Sequence, residues 1–159
     1  PLMQKEFLLE CLKLCKENDI NTCLDTAGNI PDCKDILKYT DLVILDIKGT
    51  NKKNYKEMTG ASINTSLEFL NLCQEMNKKL WIRVVIVPGI NDTEEYVKEL
   101  INFIKPLRKI EKIEFLPYHT LGVHKYKDLG ITYKLKGVPD MDKEKCKKLE
   151  NMLKKGLNN

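Results

Sequence analysis

The sequence predicts an α/β fold: four parallel strands joined by helical crossovers. Three observations lead there. Two short runs, LVILDIK at 42–48 and LWIRVVIV at 80–87, have the length and β-branched content of strands buried on both faces. Around them apolar residues recur at helical spacing, most clearly over 64–77, where Leu67, Leu70, Cys73 and Met76 share a face. Strand and helix patterns alternate along the chain, the order expected of a parallel sheet with crossover helices. The 159 residues are enough for one domain over 1–159 with a sizeable core. A closed parallel barrel takes about eight strands and roughly 200 residues or more, so four strands predict a partial TIM-like (β/α) barrel.

The elements follow in order. Phe7, Leu8, Cys11, Leu12, Leu14 and Cys15 make a helix of 4–18, which Asn18-Asp19 stops. Residues 20–25, INTCLD, read as a short strand, and Gly28 supplies the turn at its exit. Pro31 suits the first turn of the next helix, with Ile36 and Leu37 facing inward. The LVILDIK strand leads to a short helical stretch around Tyr55 that Thr59-Gly60 breaks. Asn64 or Thr65 is the expected cap of the 64–77 helix. Pro88-Gly89 ends LWIRVVIV, and Asn91 or Asp92 is the expected cap of a helix through Tyr96, Leu100 and Phe103. A fourth strand covers 110–116. A long loop runs from Pro117 to about Asp140, and a last helix runs from Asp142, its cap, to Lys155, with Gly156 as its stop.

Composition narrows the function classes. Net charge is +4 and the lysines are dispersed, which argues against nucleic acid. The lysine-rich stretch 143–155 reads as the solvated face of a helix. No apolar run has the length of a membrane span and no signal peptide is evident, so the expectation is a cytoplasmic protein without membrane contact. The six cysteines contain no CxxC pair and no zinc spacing. Free thiols are expected, with Cys11 and Cys15 on one helical face.

Each strand exit carries a polar residue. Asp25 and Thr26 end the first strand, Asp46 and Lys48 the second; Arg83 lies in the third, and His119 follows the fourth. Side chains two apart on a strand point the same way, so Asp46 and Lys48 share a side. In a parallel arrangement the strand ends form one face, where acids and cations together suit a zwitterion. Taken singly, an aspartate at a strand end is usually a turn residue, and Arg83 has the alternative of simply pairing with a neighbouring carboxylate.

Four segments carry a resemblance. TCLDTAG, TDLVILDIKGT, WIRVVIVPGIND and PYHTLGVHKYKDLG stand in the order and spacing found in the glycyl-radical-enzyme activases of the radical S-adenosylmethionine (SAM) superfamily, and the resemblance covers nearly the whole chain. It implies a segment truncated from a (β/α)6 half-barrel. Asp25, Thr26, Lys48, Arg83 and His119 would bind SAM, and Asp25, Thr26, Asp46 and the backbone of Ile44 would hold a monovalent cation. The family's C-x-x-x-C-x-x-C motif, whose thiolates hold a [4Fe–4S] cluster, is absent here, so the cluster is expected only in a longer parent and this chain alone is expected to be inactive. Ile44 stands where some relatives have methionine, and Ala27 where a polar residue is common. The implied reaction is reductive cleavage of SAM to a 5′-deoxyadenosyl radical that abstracts hydrogen from a glycine. The implied partners are pyruvate formate-lyase as protein substrate and flavodoxin or ferredoxin as electron donor. Two alternatives stand beside this reading: an activase of another glycyl-radical enzyme, and a cluster-free barrel module binding protein or small ligand on the same face.

Overall fold

The computed structural model describes residues 1–158. After a 3-10 turn, the elements are α1 (Lys5–Glu17), β1 (Cys23–Thr26), α2 (Lys34–Lys38), β2 (Leu42–Asp46), α3 (Lys52–Thr59), α4 (Asn64–Glu75), β3 (Lys79–Ile86), α5 (Glu94–Ile104), β4 (Ile110–Pro117), α6 (Val123–Asp128) and α7 (Lys143–Asn158). The strands form one sheet in the order β1-β2-β3-β4. β1 and β3 pair parallel to β2, with Asp25 opposite Ile44 and Asp46 opposite Arg83. The Leu80 N–H donates to Lys109 C=O and the Tyr118 N–H to Ile86 C=O; both indices rise together, so β4 also runs parallel. The predicted four-stranded α/β architecture is therefore present.

The chain divides into two compact units. The first comprises Pro1–Val84 and Lys105–Glu114, and the second Val85–Ile104 and Phe115–Asn159. In the first, Leu24, Val43, Leu45, Leu80, Ile82 and Val84 form the buried row of the sheet. Ile36 and Leu37 of α2, and Phe69, Leu70 and Cys73 of α4, add the apolar stripes of their helices to that core. Burial drives the Cys73 thiol up to about 12, so it packs as a small hydrophobe. In the second unit α5 packs on α7. Val97, Leu100 and Ile104 on one helix, and Cys146, Leu149 and Leu153 on the other, bury its core.

Several expectations need correction. LVILDIK is not buried on both faces: Val43 and Leu45 are buried, while Leu42, Ile44 and Asp46 are half-buried. An apolar run places Leu and Ile in both rows, so periodicity could not separate them. Only Leu12 of α1 is buried, and Phe7 and Leu14 are exposed. Pro31 precedes α2 rather than opening it, and the first strand begins at Cys23, not Ile20. Neither Asn64 nor Thr65 caps α4: both lie within it, and the Asn64 N–H is taken by Ser62 Oγ. Thr93, not Asn91 or Asp92, caps α5, its hydroxyl accepting from the Tyr96 N–H at 3.2 Å.

Asn91 has a different task. Its Oδ1 accepts from Val87 N–H at 2.7 Å and its Nδ2 donates to Val85 C=O at 2.9 Å, closing the end of β3 with a buried amide. The Asp142 cap is as expected, its carboxylate accepting from Lys145 N–H. Gly156 does not stop α7, which continues through it to Asn158. A Cβ there would clash with Ile101 Cδ1, so this glycine permits close approach of α5. The 117–140 loop also contains a helical turn, α6, whose apolar residues are too few to register as periodic.

Candidate functional site

The row of the sheet opposite the buried one, which runs from half-buried to exposed, carries the charges. On β1, β2 and β3 it consists of Cys23 and Asp25; Leu42, Ile44 and Asp46; and Lys79, Trp81 and Arg83. Lys48 continues the β2 row, and its Nζ lies 3.2 Å from Asp46 Oδ2, as the two-residue spacing requires. Arg83 joins three strands. Its Nε donates to Asp46 Oδ1 at 3.2 Å, while Nη2 reaches Asp25 Oδ1 and Oδ2 at 2.6 and 2.7 Å. Reaching β1 from β3 means crossing two strand spacings, roughly 9–10 Å, which calls for the longest cationic side chain.

The result is an alternating chain, Asp25–Arg83–Asp46–Lys48, all within the first unit. Its two ends differ in depth. The Arg83 and Asp46 side chains are each 22% exposed, whereas Asp25 is 54% exposed. Burial opposes the Arg83 charge, but the Asp46 and Asp25 carboxylates outweigh it and push the guanidinium above its ordinary pKa. The inner half of the chain is thus fixed, and the Asp25 end is open to exchange with solvent or a ligand.

The strand-exit turn that carries Asp25 is held from outside. Thr26 Oγ1 accepts from the Gly28 N–H at 3.0 Å. Gly28 has φ +65°, and a Cβ there would meet Phe69 Cδ1 at 2.7 Å. Ser66 of α4 donates to the Ala27 carbonyl and accepts from the Tyr55 hydroxyl at 3.1 Å. Ser66 and Phe69 therefore set the position of the turn. Sequence reasoning missed both, because nothing local distinguishes a serine or phenylalanine in an amphipathic helix from an ordinary one. Cys23 lies on the same row at the sheet edge, exposed, its thiol raised by desolvation and by the Asp25 charge.

The structure brings together four of the anticipated residues, Asp25, Asp46, Lys48 and Arg83, with Thr26 bonded into the adjoining turn. Ile44 stands half-buried beside Asp25 in register. His119 belongs to the second unit, where it is exposed and directly follows the buried Tyr118. All six cysteines are free, and among the described residues no three Cys, His, Asp or Glu side chains are grouped to hold a metal ion. The thiols of this chain do not fit an iron–sulfur cluster. The charged row does fit the amino-acid end of SAM, offering carboxylates for an ammonium and cations for a carboxylate. Oxygen donors for a hard cation are present too, but the guanidinium already sits on both carboxylates.

Comparison with known proteins places the chain. It is 49% identical over 157 residues to the pyruvate formate-lyase-activating enzyme of Clostridium pasteurianum, covering 98% of this chain and 66% of that protein. It is 38% identical over 156 residues to the pyruvate formate-lyase 1-activating enzyme of Escherichia coli strain K12, covering 96% of this chain and 63% of the relative. The chain thus spans just under two thirds of the length of these relatives. Its fold matches the crystal structure of a domain of pyruvate-formate lyase-activating enzyme from Bacteroides vulgatus, with a TM-score of 0.78 at 20% identity, over 98% of this chain and 89% of that one. Residues 1–104 match the sequence profile of the radical SAM superfamily, and with a four-stranded parallel sheet whose first three strands carry the charged row, the chain belongs to that superfamily.

Proposed function

We propose that residues 1–159 are the SAM- and substrate-facing part of a radical SAM activase that generates a glycyl radical on pyruvate formate-lyase. The observation that carries this reading is the Asp25–Arg83–Asp46–Lys48 chain on the row opposite the buried one, in a protein 49% identical to a pyruvate formate-lyase-activating enzyme. When bound, SAM and a [4Fe–4S] cluster supply reductive cleavage to a 5′-deoxyadenosyl radical, which abstracts hydrogen from the partner's glycine. The residues of this chain have a narrower task.

They bind and orient. Asp25, the more exposed acid, exchanges Arg83 for the ligand ammonium, while the freed guanidinium and Lys48 take the ligand carboxylate. Asp46 keeps Lys48 and stays neutralised throughout. Thr26 holds the turn in place. A monovalent cation would be held by Asp25, Thr26, Asp46 and the Ile44 backbone, in competition with Arg83 for the two carboxylates. The role of His119 rests on the resemblance alone. The cluster thiolates come from outside residues 1–159, so this segment by itself is inactive. Flavodoxin or ferredoxin supplies the electron. The free thiols suit the cytoplasm, and among the described residues no helix is long and apolar enough to cross a membrane.

The test uses the full-length protein with its cluster reconstituted anaerobically. Reduced by dithionite and mixed with SAM and pyruvate formate-lyase, it should yield 5′-deoxyadenosine and a glycyl-radical paramagnetic resonance signal. Arg83→Lys should weaken SAM binding about tenfold, since a point charge cannot replace a planar fork. Failure to form 5′-deoxyadenosine overturns the reading.

A further inference from the structure

From His119 to Asp140 no residue is buried, although the segment is ordered by its own bonds. The Tyr118 and Tyr133 hydroxyls are 2.5 Å apart, and the Tyr126 and Tyr133 rings lie 4.8 Å apart, centre to centre. The turn after α6 is closed by Leu129 N–H to Lys125 C=O and Ile131 N–H to Tyr126 C=O. A structured stretch with nothing buried presents its apolar side chains outward: Leu121 is 76% exposed, Leu129 72%, Ile131 54% and Tyr126 41%. Clustered exposure of this kind marks an interaction surface rather than ordinary scatter.

Charge indicates the kind of partner. Lys125, Lys127, Lys134 and Lys136 are exposed, and none of them is ion-paired among the described residues. Asp140 is committed to the Thr120 N–H at 2.8 Å. Against the four lysines stands one exposed carboxylate without a bond among the described residues, Asp128, so the free charge of the segment is net cationic, set among apolar side chains. Its place along the chain is informative as well. The superfamily profile ends at Ile104, whereas relatives named as pyruvate formate-lyase-activating enzymes align over 92% or more of the chain. The segment lies outside the residues that the superfamily profile matches and inside the part aligned with those activases.

We propose that the surface formed by Leu121, Leu129 and Ile131, with Lys125 and Lys127, docks an acidic, apolar-bearing segment of the glycyl-radical enzyme. This rests on the reading of the chain as part of an activase. Apolar anchors supply the hold, and the lysines set orientation and encounter rate.

The experiment is biolayer interferometry of the whole chain on immobilised pyruvate formate-lyase. Three proteins are compared: the unsubstituted chain, Leu129→Ser with Ile131→Ser, and Lys125→Glu with Lys127→Glu. Exposed substitutions should leave the urea unfolding midpoint unchanged, which separates lost docking from lost folding. Each pair should weaken binding about tenfold or more, and only the charge-reversed protein should lose the decline in affinity between about 0.05 and 0.2 M salt. Affinities equal to the unsubstituted chain overturn the proposal. So does the absence of any binding, whether the same residues instead mediate self-association by light scattering or attachment to phosphatidylserine vesicles. The activase reading is decided separately, by 5′-deoxyadenosine formation in the unsubstituted full-length protein.

Discussion

Gly28→Ala tests whether the strand-exit turn is held by packing as well as by conformation. Two costs are expected. The residue sits at φ +65°, and moving a side chain into the left-handed region costs about 1–2 kcal/mol. The new Cβ would also lie 2.7 Å from Phe69 Cδ1, 3.0 Å from Cγ and 3.1 Å from Cβ. Turning the ring moves Cδ1 but not the Phe69 Cβ, so relief requires α4 or the turn itself to shift. Overpacking of this kind costs about 1–3 kcal/mol, giving a total of about 2–5 kcal/mol. Gly60 is an internal control: its φ is +77°, and a Cβ there would meet nothing within 4 Å. Gly60→Ala should therefore show the conformational cost alone. The assay is urea unfolding followed by far-ultraviolet circular dichroism and Trp81 fluorescence, with Phe69→Ala, which removes Cγ and Cδ1, completing a double-mutant cycle at Gly28. The expected coupling is about 1 kcal/mol or more in favour of the double variant. A Gly28→Ala cost no larger than that of Gly60→Ala, or an additive cycle, would refute the packing argument.

Three further predictions concern the second unit. Asn91→Ala leaves the buried Val87 N–H and the Val85 carbonyl without partners and should cost about 2–4 kcal/mol in urea unfolding; Asn91→Asp, which keeps the acceptor but turns the donor into a second acceptor, should rescue only part of this. Burial pushes the Glu150 carboxyl up, but Lys154, the Phe115 N–H and Lys147 outweigh it and hold its pKa below the usual range. The stability it confers is present above the unfolded-state value of about 4.3 and is lost as pH falls through the folded value, so Glu150→Gln should flatten the acid limb of the stability–pH curve below about pH 4.3. Gly156→Ala sets a helix-propensity gain of about 1 kcal/mol against the Ile101 contact, so it should stabilise clearly only when combined with Ile101→Ala, measured as a coupling in thermal unfolding.

What the sequence revealed, and what it hid, follows from the range of the forces involved. The four strands and most helices were legible because burial imposes a local period, as in LWIRVVIV and the 64–77 stripe. The Asp46–Lys48 pair was legible for the same reason, since a two-residue spacing on a strand fixes a shared side. The reach of Arg83 across β2 to Asp25 was not legible: it depends on register between segments 58 residues apart. Caps were misread where several candidates stood together. In NDT at 91–93 all three residues are good capping types, and only tertiary burial of Asn91 assigns the cap to Thr93. Gly156 resembled a helix stop because composition cannot distinguish a glycine that ends a helix from one that makes room for a neighbour. The buried Glu150, which accepts the Phe115 N–H at 2.9 Å, gave no signal within a run of lysines and glutamates.

The two carboxylates and two cations of the charged row also determine how a ligand senses them from a distance. In the Asp25–Arg83–Asp46–Lys48 chain two negative and two positive groups cancel, so it has almost no monopole and its field falls off faster than that of a single charge. A small ion approaching from solvent is neither drawn in nor repelled until it is close. Selectivity then depends on matching a dipole: a molecule bearing an ammonium and a carboxylate a few ångströms apart can replace the internal pairing at both ends, whereas a simple anion or amine replaces one end and strands the other. Discrimination at this site is a matter of pattern rather than of net charge, and association there should be nearly indifferent to ionic strength.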